Sequence, residues 1–178
     1  MEKQTTEVLP IVRMKQIQKK FGGINAVNNV DLDIYPGVIH CVVGENGAGK
    51  STLMRILSGF YPDYEGEIFI NDELVRLTNP SIAQAKGIAL VHQELSLVPE
   101  LSVSENIYLG REYRSPFLGL LDGKTIESKS KKILQALDAK VSPKDKVRKL
   151  NIAKQQLVEI AKGVSMDSKV LILDEPTS

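Results

Sequence analysis

An uncharged apolar run, VIHCVV at 38–43, passes without a break into Gly44-Glu45-Asn46-Gly47-Ala48-Gly49-Lys50-Ser51, and this junction constrains the fold more than any other stretch of the chain. A run that is apolar at successive positions suits a strand covered on both faces, as in α/β sheets, whereas one-sided sheets alternate. The glycines that follow permit backbone conformations closed to residues with a Cβ. Beyond them Leu53, Ile56 and Leu57 recur at helical spacing and Gly59 can end the helix in a left-handed conformation, so a helix is predicted from about Gly49 to Ser58.

The flanking segments extend this pattern. Residues 11–17 and 27–34 read as strands, the second alternating Val30, Leu32 and Ile34 with polar neighbours as a half-buried antiparallel strand does. EIFI and ELVRL meet across Asn71-Asp72 as a hairpin; Asn79-Pro80 and Gly87 bracket a short helix, and IALVHQ is a further strand. From 94 to 165 the texture is helical, with Ile126, Ile133, Leu134 and Leu137 on one face and Leu157, Ile160, Ala161 and Val164 on another. KVLILD at 169–174 reads as a buried strand ending in acid. The expectation is a single α/β domain over 1–178: a β subdomain and glycine-loop core at 1–93, a helical subdomain at 94–165, and a return to the core at 166–178.

Charge narrows the function classes. With 23 basic and 22 acidic side chains the net charge is +1, so no broad positive field exists to hold nucleic acid by counterion release, and any phosphate recognition must be local. The single cysteine, Cys41, has no partner for an internal disulfide and reads as a small buried hydrophobe of the 38–43 run. No stretch approaches the ~20 apolar residues that span a bilayer. The opening residues lack the apolar centre of a signal peptide. The expectation is a soluble, cytoplasmic chain.

Residues 44–51 match G-x4-G-K-[ST]. Turned inward, successive backbone N–H groups of such a loop form an anion nest, and the N-terminus of the following helix adds its positive dipole end. Lys50 supplies a point charge for β- and γ-phosphates, and the Ser51 hydroxyl is a ligand for Mg2+. Asp174 and Glu175 leave the end of the last apolar strand, where ligands bind in such sheets. In that position Asp174 suits Mg2+ and Glu175 suits the general base that orients or deprotonates an attacking water. These two motifs alone are also compatible with a GTPase, a kinase or a helicase.

Further segments separate these classes. FGGINAV at 21–27, VGENGAGKSTLMRILSG at 43–59, VHQELSLVPELSVSENIYLG at 91–110, QQLVEIAKG at 155–163 and LILDEPTS at 171–178 together resemble the ABC ATPase family over nearly the whole chain. Within it, the GENGAGKST loop and the VHQEL segment look like the ribose, galactose and xylose importer subgroup. The resemblance implies a P-loop NTPase (RecA-like) core carrying an N-terminal antiparallel β subdomain and a helical insertion. It also implies ATP and Mg2+ as ligands, with nucleotide contacts from Gly44, Glu45, Asn46, Gly47, Ala48, Gly49, Lys50, Ser51 and Thr52. Phe21 looks like the aromatic that stacks on adenine, a contact needing a flat apolar face. Gln93 resembles the glutamine that touches Mg2+ and the water, so the catalytic set is Glu175, Lys50 and Gln93 and the metal set Ser51, Gln93 and Asp174. The implied activity is ATP hydrolysis driving sugar import. The implied partners are transmembrane permease subunits, a second nucleotide-binding domain in the same full-length polypeptide and, indirectly, a sugar-binding protein. Nucleic acid is not among them, and the implied location is the cytoplasmic face of the membrane.

Two features depart from the family pattern. Where the family carries LSGGQ or LSVGQ, this chain reads Leu150-Asn151-Ile152-Ala153-Lys154, with a methyl group where backbone would approach phosphate and a lysine in place of glutamine. The chain also stops at Ser178, ahead of the dimer-contact loop and phosphate-contacting histidine of the family, so it reads as C-terminally incomplete, with an open sheet edge that favours self-association. A soluble non-transport ABC ATPase and a regulatory ATP-binding module with little turnover remain as alternatives.

Overall fold

The computed structural model describes residues 8–91, 95–115 and 119–174. The chain divides into two compact units, 1–88 and 89–178.

In the first unit β1 (Val12–Phe21) and β2 (Ile24–Ile34) form an antiparallel hairpin that turns at Gly22-Gly23. β3 (Glu65–Ile70) pairs with the other side of β1, and β4 (Glu73–Val75) pairs with β3, giving the sheet order β2-β1-β3-β4. The Asn71-Asp72 turn carries positive φ at both residues, 50° and 62°, as a two-residue turn between right-twisted strands requires. Along β1 the inward row is Val12, Met14, then Ile17 and Lys19, the change of phase being a bulge at Gln16, whose φ is +51° and whose N–H donates to Asp31 Oδ1 at 2.6 Å. Helix α1 (Lys50–Leu57) buries Leu53, Ile56 and Leu57 as its spacing predicts, each such side chain contributing about 1.5–3 kcal/mol of burial free energy. Helix α2 (Pro80–Ala85) begins at Asn79, whose side chain accepts the Ile82 N–H.

The run 38–43 is not a strand. It pairs with no strand among the described residues, and Ile39 and Val43 are 91% and 90% exposed, so the expected two-sided burial is overturned; Cys41 is exposed with it. A strand is held by its ladder rather than by its own side chains, and apolar composition supplies no ladder. The run begins instead from a local clasp, with the Tyr35 N–H donating to His40 Nε2 at 2.9 Å and the two rings stacked 6.0 Å apart.

β5 (Ile88–Val91), whose last three residues belong to the second unit, pairs with β6 (Val170–Leu173), and the second unit also holds a helical group: α3 (Val103–Ile107), α4 (Gly123–Ala136) and α5 (Ile152–Val164), with a 3-10 turn at Val147–Lys149. Val103, Ile107, Tyr108, Ile126, Leu134, Val147, Val158 and Ala161 form its core. Ile133 and Leu137 pack against that core beside Ile126 and Leu134, as the helical spacing of α4 predicts. The inward face of α5 differs from expectation. Val158, Glu159, Ala161 and Gly163 are buried, while Leu157 and Ile160 are half-buried and Val164 is exposed. Two contacts turn it: the Glu159 carboxylate accepts the Ser96 N–H and hydroxyl, and Gly163 sits where a Cβ would stand 2.8 Å from the side chains of Leu171 and Val91. β6 is only partly covered, with Ile172 buried and Leu173 exposed, because β5 is its one paired neighbour among the described residues. No helix among the described residues is long and apolar enough to cross a membrane.

Candidate functional site

The glycine loop closes on its own lysine. The Ala48 N–H donates to Glu45 O at 3.1 Å, turning the chain, and Lys50 Nζ donates to Gly44 O at 2.8 Å and Glu45 O at 2.9 Å. An ammonium therefore stands within the mouth of the loop, held by carbonyls rather than by a carboxylate, so its positive charge is not neutralised there. Gly47 and Gly49 take φ of +84° and +88°, the left-handed region in which a side chain is strained. Gly49 is also the N-cap of α1; no side chain caps that terminus and no acidic residue stands in its first turn, which keeps the dipole end positive. Ser51 and Thr52 follow in this first turn, both half-buried.

The loop is seated on the β1–β2 hairpin. A Cβ on Gly49 would lie 2.2 Å from Ala26 O, so β2 and the loop approach as only glycine allows. Ala26 belongs to the same hairpin end as Phe21, where the register runs Lys19 to Val27, Lys20 to Asn25 and Phe21 to Ile24. The structure thus brings Phe21 and residues 44–52 into one unit on a shared strand pair. Phe21 keeps 42% of its surface exposed. Its ring meets that of Tyr61 edge-on at 5.1 Å, and Lys19 Nζ lies over it, 4.7 Å from the centroid. Neither Lys19 nor Tyr61 follows from motif reading. The available signal was a lysine in phase with Ile17 on the inward row of β1, legible only once the strand is extended to Phe21.

In the second unit Asp174 is buried, 9% exposed, and its N–H donates to Val91 O at 3.4 Å, so the ends of β5 and β6 lie side by side. Gln93 and Glu175 lie outside the described residues. Ser51 in the first unit and Asp174 in the second each carry a hard oxygen donor, the kind that Mg2+ takes; no group of three or more His, Cys, Asp or Glu side chains that could hold a metal ion occurs among the described residues. At the altered segment Asn151 caps α5 by accepting the Lys154 N–H at 3.0 Å, Gln155 Nε2 donates to Leu150 O at 2.9 Å, and Ile152 is 68% exposed. The helix start is intact although its sequence departs from the family pattern.

Comparison with known proteins shows the family and the fold class. The ABC transporter family profile matches residues 27–178. A ribose import ATP-binding protein of Caldanaerobacter subterraneus is 47% identical over 169 residues, covering 95% of this chain and 34% of that protein. A xylose import ATP-binding protein of Geobacillus kaustophilus is 45% identical over 175 residues, covering 94% of this chain and 33% of that protein. The chain therefore spans about a third of the length of these curated relatives. Among solved structures, an ATP-binding cassette of an ABC transporter in its ADP conformation superposes with a TM-score of 0.81 at 27% identity, covering 96% of this chain and 70% of that one. The expected α/β class of a P-loop ABC ATPase is thereby shown.

Proposed function

The chain belongs to the ABC transporter family, and from that premise we propose that it is the ATP-binding and ATP-hydrolysing part of a protein that energises import of a monosaccharide. The observation that carries this reading is the Lys50 ammonium hydrogen-bonded to Gly44 O and Glu45 O within a loop whose Gly49 is wedged against Ala26. That is a cradle for a polyphosphate: positive, rich in backbone N–H groups and fixed to a sheet.

In this reading Gly44, Glu45, Asn46, Gly47, Ala48, Gly49, Ser51 and Thr52 enclose the phosphates and Lys50 bridges the terminal ones. Phe21 stacks on the base. Ser51, Gln93 and Asp174 hold Mg2+, which when bound offsets charge on the phosphate oxygens. Glu175 orients and deprotonates the attacking water, and Gln93 assists in placing it. Residues 1–178 act as one nucleotide-binding domain, with 94–165 as the part that meets the membrane partner. The partners are permease subunits, a second nucleotide-binding domain in the full-length polypeptide and, through the permease, a sugar-binding protein. The working location is the cytoplasmic face of the membrane. The monosaccharide cargo is supported by the names of the relatives at 45–47% identity.

The test is Mg2+-dependent binding of ATP by the full-length protein, followed by sugar-stimulated turnover in the assembled transporter. Binding that is absent in a folded protein sinks the motor reading.

A further inference from the structure

β1 places a charged side chain on its core-facing row. Lys19 falls in phase with Ile17 after the bulge and is 4% exposed, whereas its neighbour Lys20 is exposed. An ammonium taken out of water needs compensating contacts, and this one has them from two directions. Asp63 supplies both its carboxylate and its carbonyl oxygen, the latter at 2.9 Å. Two rings supply the rest: Phe21 with its centroid at 4.7 Å and Tyr61 at 5.7 Å, set edge to face at 5.1 Å from each other.

The asymmetry of the Lys19–Asp63 pair is informative. The Lys19 side chain is 3% exposed and that of Asp63 78%, so the ammonium is covered by the rings rather than by its counter-ion. A salt bridge serving stability alone has no need of an aromatic cover. A cation held over an aromatic face favours one position and tilt of that ring, and Phe21 stands at the end of the strand, 42% exposed. Tyr61 restrains its edge, and is itself held where Arg55 Nη1 reaches the phenol oxygen at 3.2 Å and the Tyr61 N–H donates to Arg55 O at 3.3 Å.

We infer that Lys19, clamped by Asp63, is a positioning residue for the base of the bound nucleotide, acting through Phe21 by holding its ring in the orientation that stacks. This rests on the reading of Phe21 as the base-stacking residue. The Lys19 ammonium is engaged by Asp63 and the two rings, so in this role its effect belongs to the base and not to the triphosphate.

The experiment compares binding of ATP and of inorganic tripolyphosphate to the full-length protein, carried out on wild type, Lys19→Met, Asp63→Asn and Phe21→Ala. Lys19→Met keeps the apolar stem and removes the charge. The expected result is a roughly three- to tenfold loss of ATP affinity with tripolyphosphate affinity unchanged within about twofold, and a smaller loss of the same kind for Asp63→Asn, which keeps the core cation and so guards against misfolding of the first variant. Equal losses for both ligands in both variants mean a merely structural role and overturn the inference, as does an unchanged ATP preference while Phe21→Ala abolishes it. If Phe21→Ala itself leaves the preference for ATP intact, the reading of Phe21 fails, and Lys19 loses its role with it.

Discussion

The α-carbon of Gly49 faces the carbonyl of Ala26 across a gap in which a Cβ would stand 2.2 Å from the oxygen. That approach joins the phosphate loop to the hairpin bearing Phe21, and it sets a steric condition on one position. Gly49→Ala must move backbone on one side or the other, in addition to paying about 1–3 kcal/mol for a left-handed φ of +88°. The expected outcome is a lower Tm together with ATP affinity reduced more than about tenfold, a binding loss larger than the stability loss alone explains. Thermal unfolding and calorimetric titration of the same preparation check it.

Lys50→Ala separates binding from folding in the other direction. The side chain's partners are two carbonyls at an exposed loop, so its removal costs about 1 kcal/mol or less of stability. ATP turnover is expected to fall to background with Tm nearly unchanged. Made in the assembled transporter beside the equivalent change in the other domain, the substitution also tests asymmetry. Intact Lys50, Asp174 and Glu175 occur in the sequence with an altered 150–154 segment, so this chain's own site is expected to carry most of the turnover and the site it completes in the other domain little. Equal losses from the two lysine variants would refute that.

Glu159 is a buried acceptor with assigned donors. Its Oε1 takes the Ser96 hydroxyl at 2.8 Å and the Ser96 N–H at 2.5 Å, and Lys162 Nζ reaches the same hydroxyl at 3.2 Å. Glu159→Ala leaves a part-buried N–H unmatched, at about 1–3 kcal/mol, whereas Glu159→Gln keeps an acceptor and costs less. Urea unfolding curves of the two variants are expected to rank in that order with unchanged m-values.

Acid acts on the Lys19 clamp. The hydrogen bond from Lys19 holds the Asp63 carboxyl below its ordinary range, with the Asp63 backbone N–H adding to the effect. A depressed folded pKa contributes stability that is complete above the unfolded value and is lost as pH falls through the folded one. Tm is therefore expected to drop on acidification through and below the usual carboxylate range. Asp63→Asn, which cannot titrate, is expected to flatten that part of the curve while lying below wild type at neutral pH. Coincident curves for the two proteins contradict this.

Local chemistry was the legible part of this chain. Strand character at 11–17 and 27–34, the Asn71-Asp72 turn, the Asn79 cap and the buried face of α1 each follow from residues within a turn or a strand of one another, and the structure shows each of them; the closure of the first two strands into one hairpin through 18–26 was not read. Long-range pairing was not legible. The residues at 38–43 have the composition of a covered strand, yet nothing within them specifies a neighbour, and they are exposed. The face of α5 was misread because hydrophobic spacing ranks Leu157 and Ile160 above Glu159, whereas Ser96, distant in sequence, brings the carboxylate inward. At the site, motif spacing named the loop and Asp174, while the Lys19 and Tyr61 setting of Phe21 arises from three segments meeting and carries no motif of its own.

The exposed thiol has a practical consequence. Cys41 is the sole cysteine of the chain and lies open to solvent just ahead of Gly44. A maleimide dye therefore attaches at one defined place within this chain, three residues ahead of the loop. Fluorescence from that spot reports the rearrangement of residues 44–49 in real time, without radioactivity or a coupled enzyme assay.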